Sequence, residues 1–110
     1  MTGNEPVSVA DNADEHRFDI TVGGRLAGSS HYRDHHGVRS FTHTEIDPAF
    51  EGHGLGSRLI RAALDDTRAR GLAVLPFCPF VRAFIAKHAD YLDLVPPAER
   101  DRFDLSATPG

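Results

Sequence analysis

The stretch Asp47-Pro48-Ala49-Phe50-Glu51-Gly52-His53-Gly54-Leu55-Gly56-Ser57 decides how the chain is read. Glycines at three alternate positions leave main-chain N–H groups unscreened by side chains. Directly behind them Leu55, Leu59 and Ala63 recur every four residues, joined by Ile60 and Leu64, which predicts an amphipathic helix over residues 54–70. A glycine-rich turn that opens a helix gathers free N–H groups and the positive end of the helix dipole. It therefore suits a phosphate or pyrophosphate.

Working outward toward the N-terminus, Phe18, Ile20 and Val22 alternate with Arg17, Asp19 and Thr21, the pattern of a half-buried strand. Gly23-Gly24 follows as a two-residue hairpin signal. Residues 25–32 read as the partner strand, with Leu26 and Tyr32 on one face. Asp34-His35-His36-Gly37 is a second turn, and residues 38–46 form a third strand, so the front half is an antiparallel meander. Toward the C-terminus, Asp66 precedes Arg70 by four residues, the favourable order for a helical ion pair. Arg68 and Arg70 oppose the negative end of the dipole, and Gly71 supplies a left-handed stop. The apolar run 72–75 predicts a strand buried on both faces. Strand, helix and strand with a tight return make a βαβ unit with parallel strands and a right-handed crossover. Past Pro76 and Pro79 a second helix is expected over 80–88 and a last short strand over 91–95, and Pro96-Pro97 opens one helical turn. The expected fold class is α+β: a mixed sheet whose antiparallel meander is followed by a βαβ unit and a second helix. The domain is expected over 16–103, between a mobile leader (1–15), which lacks apolar periodicity, and a frayed tail (104–110).

At 110 residues the chain holds one domain, and 40% hydrophobic with 25% charged residues is the balance of a globular protein. The single cysteine, Cys78, cannot form an internal disulfide, which fits a reducing compartment. No run of about eighteen apolar residues is present. The polar, acidic opening does not read as a signal peptide, so a cytoplasmic, membrane-free protein is expected. A formal net charge of −4 without a basic stripe argues against nucleic acid as a partner. His31, His35 and His36 straddle a turn without the spacing of a closed metal site; they are expected to be solvated, and no metal is expected.

Three phosphate-binding patterns compete for the glycine turn. A P-loop needs Lys followed by Ser or Thr, whereas Ser57 and Arg58 follow Gly56. A dinucleotide fingerprint needs G-x-G-x-x-G after the first strand of a parallel fold. This chain has G-x-G-x-G after an antiparallel meander. The third pattern, Gln/Arg-x-x-Gly-x-Gly/Ala, is the acyl-CoA signature of the GNAT N-acyltransferase superfamily, and Glu51-Gly52-His53-Gly54-Leu55-Gly56 resembles it with both glycines in place. The resemblance runs from residue 17 to 95. It is strongest toward very small, single-domain predicted N-acetyltransferases, through His43-Thr44-Glu45-Ile46, Pro76-Phe77-Cys78-Pro79-Phe80-Val81, Lys87-His88 and Tyr91.

The resemblance implies an acetyl-CoA-dependent N-acetyltransferase acting on a small-molecule or protein amine. It implies a splay between the two parallel strands that admits the pantetheine arm. Main-chain groups around Glu45, Ile46 and Asp47 would bond that arm. Amides of Glu51, Gly52, His53, Gly54, Leu55, Gly56 and Ser57 would take the pyrophosphate, and Pro79, Phe80 and Phe84 would line the site beyond. The thioester would lie near Cys78. Three departures stand out. Glu51 replaces the usual Gln or Arg, Phe84 stands where many members carry a tyrosine that protonates the departing thiolate, and the two helices that usually follow the first strand are missing.

N-acylation requires a neutral amine, a polarised thioester and a proton acceptor. His43 and Glu45, on one face of the entering strand, are the candidates for base or water-orienting group. Against that, His43 reads equally as a structural histidine and Glu45 as a surface carboxylate. Cys78 is either a small buried hydrophobe or a nucleophile with a lowered pKa. Direct attack in a ternary complex is the expected route, with an acyl-cysteine intermediate as the alternative. A non-catalytic acyl-CoA-binding module is the competing function. Thermal unfolding separates the three phosphate patterns: acetyl-CoA at a hundred times its Kd should stabilise the fold by about 2.7 kcal/mol, and ATP and NAD should leave it unmoved.

Overall fold

The computed structural model describes residues 5–105. Five strands form one sheet in the order β1-β2-β3-β4-β5: β1 (Val7–Asn12), β2 (Arg17–Val22), β3 (Arg25–His35), β4 (Val38–Ile46) and β5 (Ala73–Pro76). The first four pair antiparallel, and β4 pairs parallel with β5. Helix α1 (Leu55–Ala69) joins β4 to β5, and α2 (Pro79–Lys87) follows. This is the α+β arrangement expected from the sequence.

Both hairpin turns need two consecutive residues at positive φ. Gly23 and Gly24 supply one pair, and His36 (φ 50°) with Gly37 (φ 79°) the other. Helix α1 buries Leu55, Leu59, Ile60, Ala63 and Leu64 against the sheet. It stops in a Schellman motif: Gly71 N–H reaches Arg68 O at 3.0 Å and Leu72 N–H reaches Thr67 O at 3.2 Å. The Asp66–Arg70 pair forms at 2.7 Å.

Several expectations are corrected. The leader 1–15 contains a strand, β1, paired along its length with β2. The short polar-apolar alternation Val7-Ser8-Val9 covers one face only, and an edge strand needs no more. Residues 1–4 lie outside the described residues. At the other end, Phe103 and Leu105 are buried, with Leu105 N–H bonded to Arg100 O, so the packed part of the chain reaches past 103. The fraying expected further on falls outside the described residues. Strand β5 has Val74 and Pro76 buried but Ala73 and Leu75, on the face that no helix covers, only half-buried. The strand expected at 91–95 is a 3-10 helix over Ala89–Leu94. Tyr91 and Leu94, three residues apart, both point inward, the period of that helix. Leu26 does not share a face with Tyr32. Ile20 pairs with Gly28 and Thr21 with Leu26, so Ala27 is a bulged extra residue that takes the core position and leaves Leu26 exposed.

A second bulge shapes β4. His31 pairs with His43 and Tyr32 with Phe41, leaving Thr42 unpaired. Phe41 and Thr44 therefore face the helices, and His43 and Glu45 face the opposite side.

Under the C-terminal end of α1, Arg39 is buried flat on the Tyr32 ring at 3.9 Å and grips Asp34 through Nε and Nη2, each at 2.7 Å. Tyr32 donates to Asp11 Oδ1 at 2.6 Å, tying β1 to β3. Burial, then the bond to Asp11, pushes the Tyr32 phenol up to about 12 from 10.0. The folded form thus keeps a proton that the unfolded chain loses above pH 10.0, so this contribution to stability is complete below that pH and fades toward about pH 12. Tyr32→Phe should lower stability at neutral pH by about 1–3 kcal/mol. In urea titrations across the alkaline window it should also flatten the decline, and an unchanged slope would contradict the assignment.

Candidate functional site

The parallel pairing of β4 with β5 ends at Phe41–Pro76, and the last main-chain hydrogen bond between the two segments is Cys78 N–H to Phe41 O at 2.8 Å. Ala73 N–H bonds Gly37 O, so alternation turns the Pro76 nitrogen away from β4, and past Cys78 the chain turns away into α2, which opens at Pro79. The end of β4 is left without a neighbour on that side. Asp47 N–H bonds Ala27 O at 2.7 Å, so in the alternating antiparallel ladder Glu45 also directs its main-chain groups toward β3. Those of Thr44 and Ile46 point the other way, into the gap.

At the mouth of the gap, Asp47 caps a 3-10 turn (Pro48–Phe50) by accepting the Ala49 N–H at 2.9 Å. Gly52 (φ 86°) and Gly54 (φ 71°) then reverse the chain through the left-handed region, where a side chain costs about 1–2 kcal/mol. The first i→i−4 bond of α1 is Arg58 N–H to Gly54 O at 3.2 Å. The N–H groups of Leu55, Gly56 and Ser57 therefore precede the ladder, and Gly54 offers no capping side chain.

These elements enclose a groove of about 500 Å³. Its walls are Glu45, Ile46, Glu51, Gly52, Gly54, Leu55, Gly56, Ser57 and Phe80, all singled out in the sequence, together with Thr44 and Phe50, which were not. Strand alternation was the signal for Thr44, since it shares a face with Ile46. Phe50 gave none, because a 3-10 turn of three residues has no readable period. Phe80, 41% exposed, lies over Gly56 so closely that a methyl group there would overlap Cζ of the ring.

Other residues fall elsewhere. The Asp47 side chain serves the turn and borders a separate pocket with Leu26, Gly28, Ser29 and Glu45. His53 is exposed outside the groove walls, and Pro79 occupies the first turn of α2. Phe84 is buried beneath a second pocket, which Ser57, Phe80, Lys87 and His88 also line, and the His88 ring lies tilted against it at 4.3 Å. His31 pairs with His43 at 5.8 Å, and His35 meets His36 edge-on at 4.0 Å. His43 Nε2 and Glu45 Oε1 are 3.2 Å apart, with both side chains 62% exposed on the helix-free face. Glu45 borders both the groove and the pocket on that face. Cys78 is 2% exposed, and its thiol donates to Thr44 Oγ1 at 3.3 Å, which is also within 2.9 Å of Ser30 Oγ. The partner that the cysteine meets is thus a hydroxyl rather than a histidine.

A glycine turn at a helix N-terminus, beside a parallel strand pair that parts halfway, is the architecture of an acyl-CoA N-acyltransferase fold. The sequence model of the GCN5-related N-acetyl-transferase family matches residues 17–94, well over half of the chain, and the protein belongs to that family. Membership points to acetyl transfer from acetyl-CoA, the cosubstrate typical of the family. No curated protein matches the sequence. Among the described residues no helix is long and apolar enough to cross a membrane.

Two glycines beside the groove predict opposite outcomes. A Cβ on Gly28 would stand 2.6 Å from Glu45 O, a main-chain atom held by two strands, so Gly28→Ala should cost about 1–3 kcal/mol. On Gly56 the added methyl meets the tip of a side chain that can swing away, and alanine suits a helix better by about 1 kcal/mol. Gly56→Ala should therefore be near neutral in thermal unfolding. A larger loss at Gly56 than at Gly28 would overturn this account.

Proposed function

We propose that the protein is an N-acetyltransferase that binds acetyl-CoA in the groove and passes the acetyl group directly to an amine. The observation that carries the reading is the unpartnered end of β4 leading straight to the three free N–H groups of Leu55, Gly56 and Ser57. An amide-bearing arm would continue the sheet along Thr44 and Ile46, and a pyrophosphate would meet the free N–H groups and the helix dipole. Glu51 adds a carboxylate to the same wall, so main-chain donors rather than side-chain charge would hold the phosphates.

Glu45 supports the chemistry by position. It stands where the groove meets the helix-free face, open to an acceptor arriving from that side. The lone pair of the neutral amine attacks the thioester carbonyl carbon. As the C–N bond forms, the nitrogen gives its surplus proton to the Glu45 carboxylate, directly or through water, with His43 orienting that carboxylate. The oxyanion draws on a main-chain N–H, and collapse breaks the C–S bond. CoA leaves as a thiolate and takes a proton from solvent, since Phe84 has none to give. A second reading, an acyl-CoA-binding module without turnover, is favoured by that same phenylalanine and by a sheet face with no helices to wall an acceptor.

Release of free CoA across a panel of amines and peptide N-termini tests the assignment. Glu45→Gln should lower kcat by about 10²- to 10⁴-fold with the affinity for CoA unchanged. Cys78→Ala should keep most of the activity, and intact mass after mixing with acetyl-CoA should show no adduct. A stable acetyl adduct that vanishes in Cys78→Ala would replace direct attack with an acyl-cysteine route. CoA binding without release from any amine would leave the binding module.

A further inference from the structure

Two buried donors converge on one oxygen at the inner end of the groove. Cys78, 2% exposed, donates its thiol proton to Thr44 Oγ1 at 3.3 Å, and the Oγ of fully buried Ser30 lies 2.9 Å from the same atom. Thr44 is the one hydrogen-bond partner of the Ser30 hydroxyl among the described residues. A buried hydroxyl proton without an acceptor carries the full cost of its lost hydration, so Ser30 is the donor of that pair. A threonine oxygen has two lone pairs, and the thiol and the serine fill both. The Thr44 proton is then left to point into the groove, which this half-buried residue lines.

Among the described residues, no Lys, Arg, His or Tyr lines the groove. Its two side-chain hydroxyls are Ser57, at the start of α1, and Thr44, beside the fork that Cys78 N–H closes on Phe41 O. Thr44 is therefore the side-chain donor of that end. An oxygen that accepts two hydrogen bonds donates its own more strongly, because each bond polarises the next. Alternation also sets Thr44 and Glu45, neighbours in β4, on opposite faces of the strand. A thioester lying in the gap beside β4 thus has a carboxylate on the helix-free side and a hydroxyl on the helix side.

We propose that the Thr44 hydroxyl is a further catalytic group, donating a hydrogen bond to the CoA sulfur as the C–S bond breaks. The inference rests on the acyl-CoA reading above. An arm laid along Ile46 and Thr44 brings its sulfur toward the closed end of the fork. There the electron pair of the breaking bond passes to sulfur, and the Thr44 proton meets the growing charge without being transferred. A hydrogen bond to an anion is about twice as strong as one to a neutral group, so the contact favours the departing thiolate over the intact thioester. The thiolate then takes its proton from solvent, and Thr44 is unchanged after each turnover.

Ultraviolet titration of the CoA thiol bound to the full chain reads this contact directly. The bound thiol should ionise at lower pH in the native protein than in Thr44→Val, and Thr44→Ser should titrate like the native protein. Desulfo-CoA, which has no sulfur, should bind all three alike, which a merely structural role for Thr44 would not give. With an amine that supports turnover, Thr44→Val should lower kcat about ten- to a hundredfold with KM for acetyl-CoA little changed. Should Thr44→Val fail to fold, combining it with Ser30→Ala leaves no buried hydroxyl unpaired and allows the same titration. Equal titration of the bound thiol with and without the Thr44 hydroxyl would overturn the proposal while leaving the acyl-CoA site intact, as would a loss of affinity shared with desulfo-CoA. Binding of neither ligand to the native protein would remove the acyl-CoA reading, and this proposal with it.

Discussion

The structure depends on where one ladder of hydrogen bonds stops. Strands β4 and β5 run together for four residue pairs, and past the Cys78 N–H the partner chain turns away into α2. Unpaired main-chain groups inside a protein are costly, and here they face a groove rather than a packed interior. Everything downstream follows from this stop. The end of β4 is available to a ligand, α2 departs at an angle that makes a wall, and Cys78 closes the fork with its own N–H on Phe41 O.

The glycine turn and α2 are built for one another at a single point. Gly56 lets the ring of Phe80 lie on the first turn of α1, which narrows the space between the two helix starts and divides it into two lobes. The third glycine of the run therefore has a different duty from the first two. Gly52 and Gly54 supply positive φ, whereas Gly56 is helical and its missing Cβ makes room for the Phe80 ring. A motif written as alternating glycines conceals two separate physical demands.

The βαβ core and the glycine turn were legible because both rest on local periodicity: the four-residue recurrence of Leu55, Leu59 and Ala63, and the Schellman stop at Gly71. Strand β1 was not, because two valines in an acidic stretch carry too little pattern to separate an edge strand from a leader. The faces of β3 and β4 were legible only in part. Ala27 and Thr42 are extra residues relative to their neighbours, and a bulge leaves no compositional trace. Leu26 was assigned inward on simple alternation, and the bulge turns it outward. At the site, main-chain donors could be placed from the glycines, but the surroundings of Cys78 could not. Its contact with Thr44 joins residues 34 positions apart and depends on the phase of β4 beyond its bulge.

That phase gives Thr42 an influence out of proportion to its size. It makes a long 3.4 Å contact with the His31 carbonyl and buries nothing. Yet its standing outside the ladder decides which of two interleaved sets of side chains meets the helices. Were Thr42 paired like its neighbours, His43 and Glu45 would come to the helix side and Thr44 and Ile46 would turn outward, exchanging the inner and outer surfaces of the strand's last third. Deleting Thr42 would instead bring Phe41 beside His43 and leave every other pairing in place, so the strand depends on this residue staying out of the ladder rather than on its side chain.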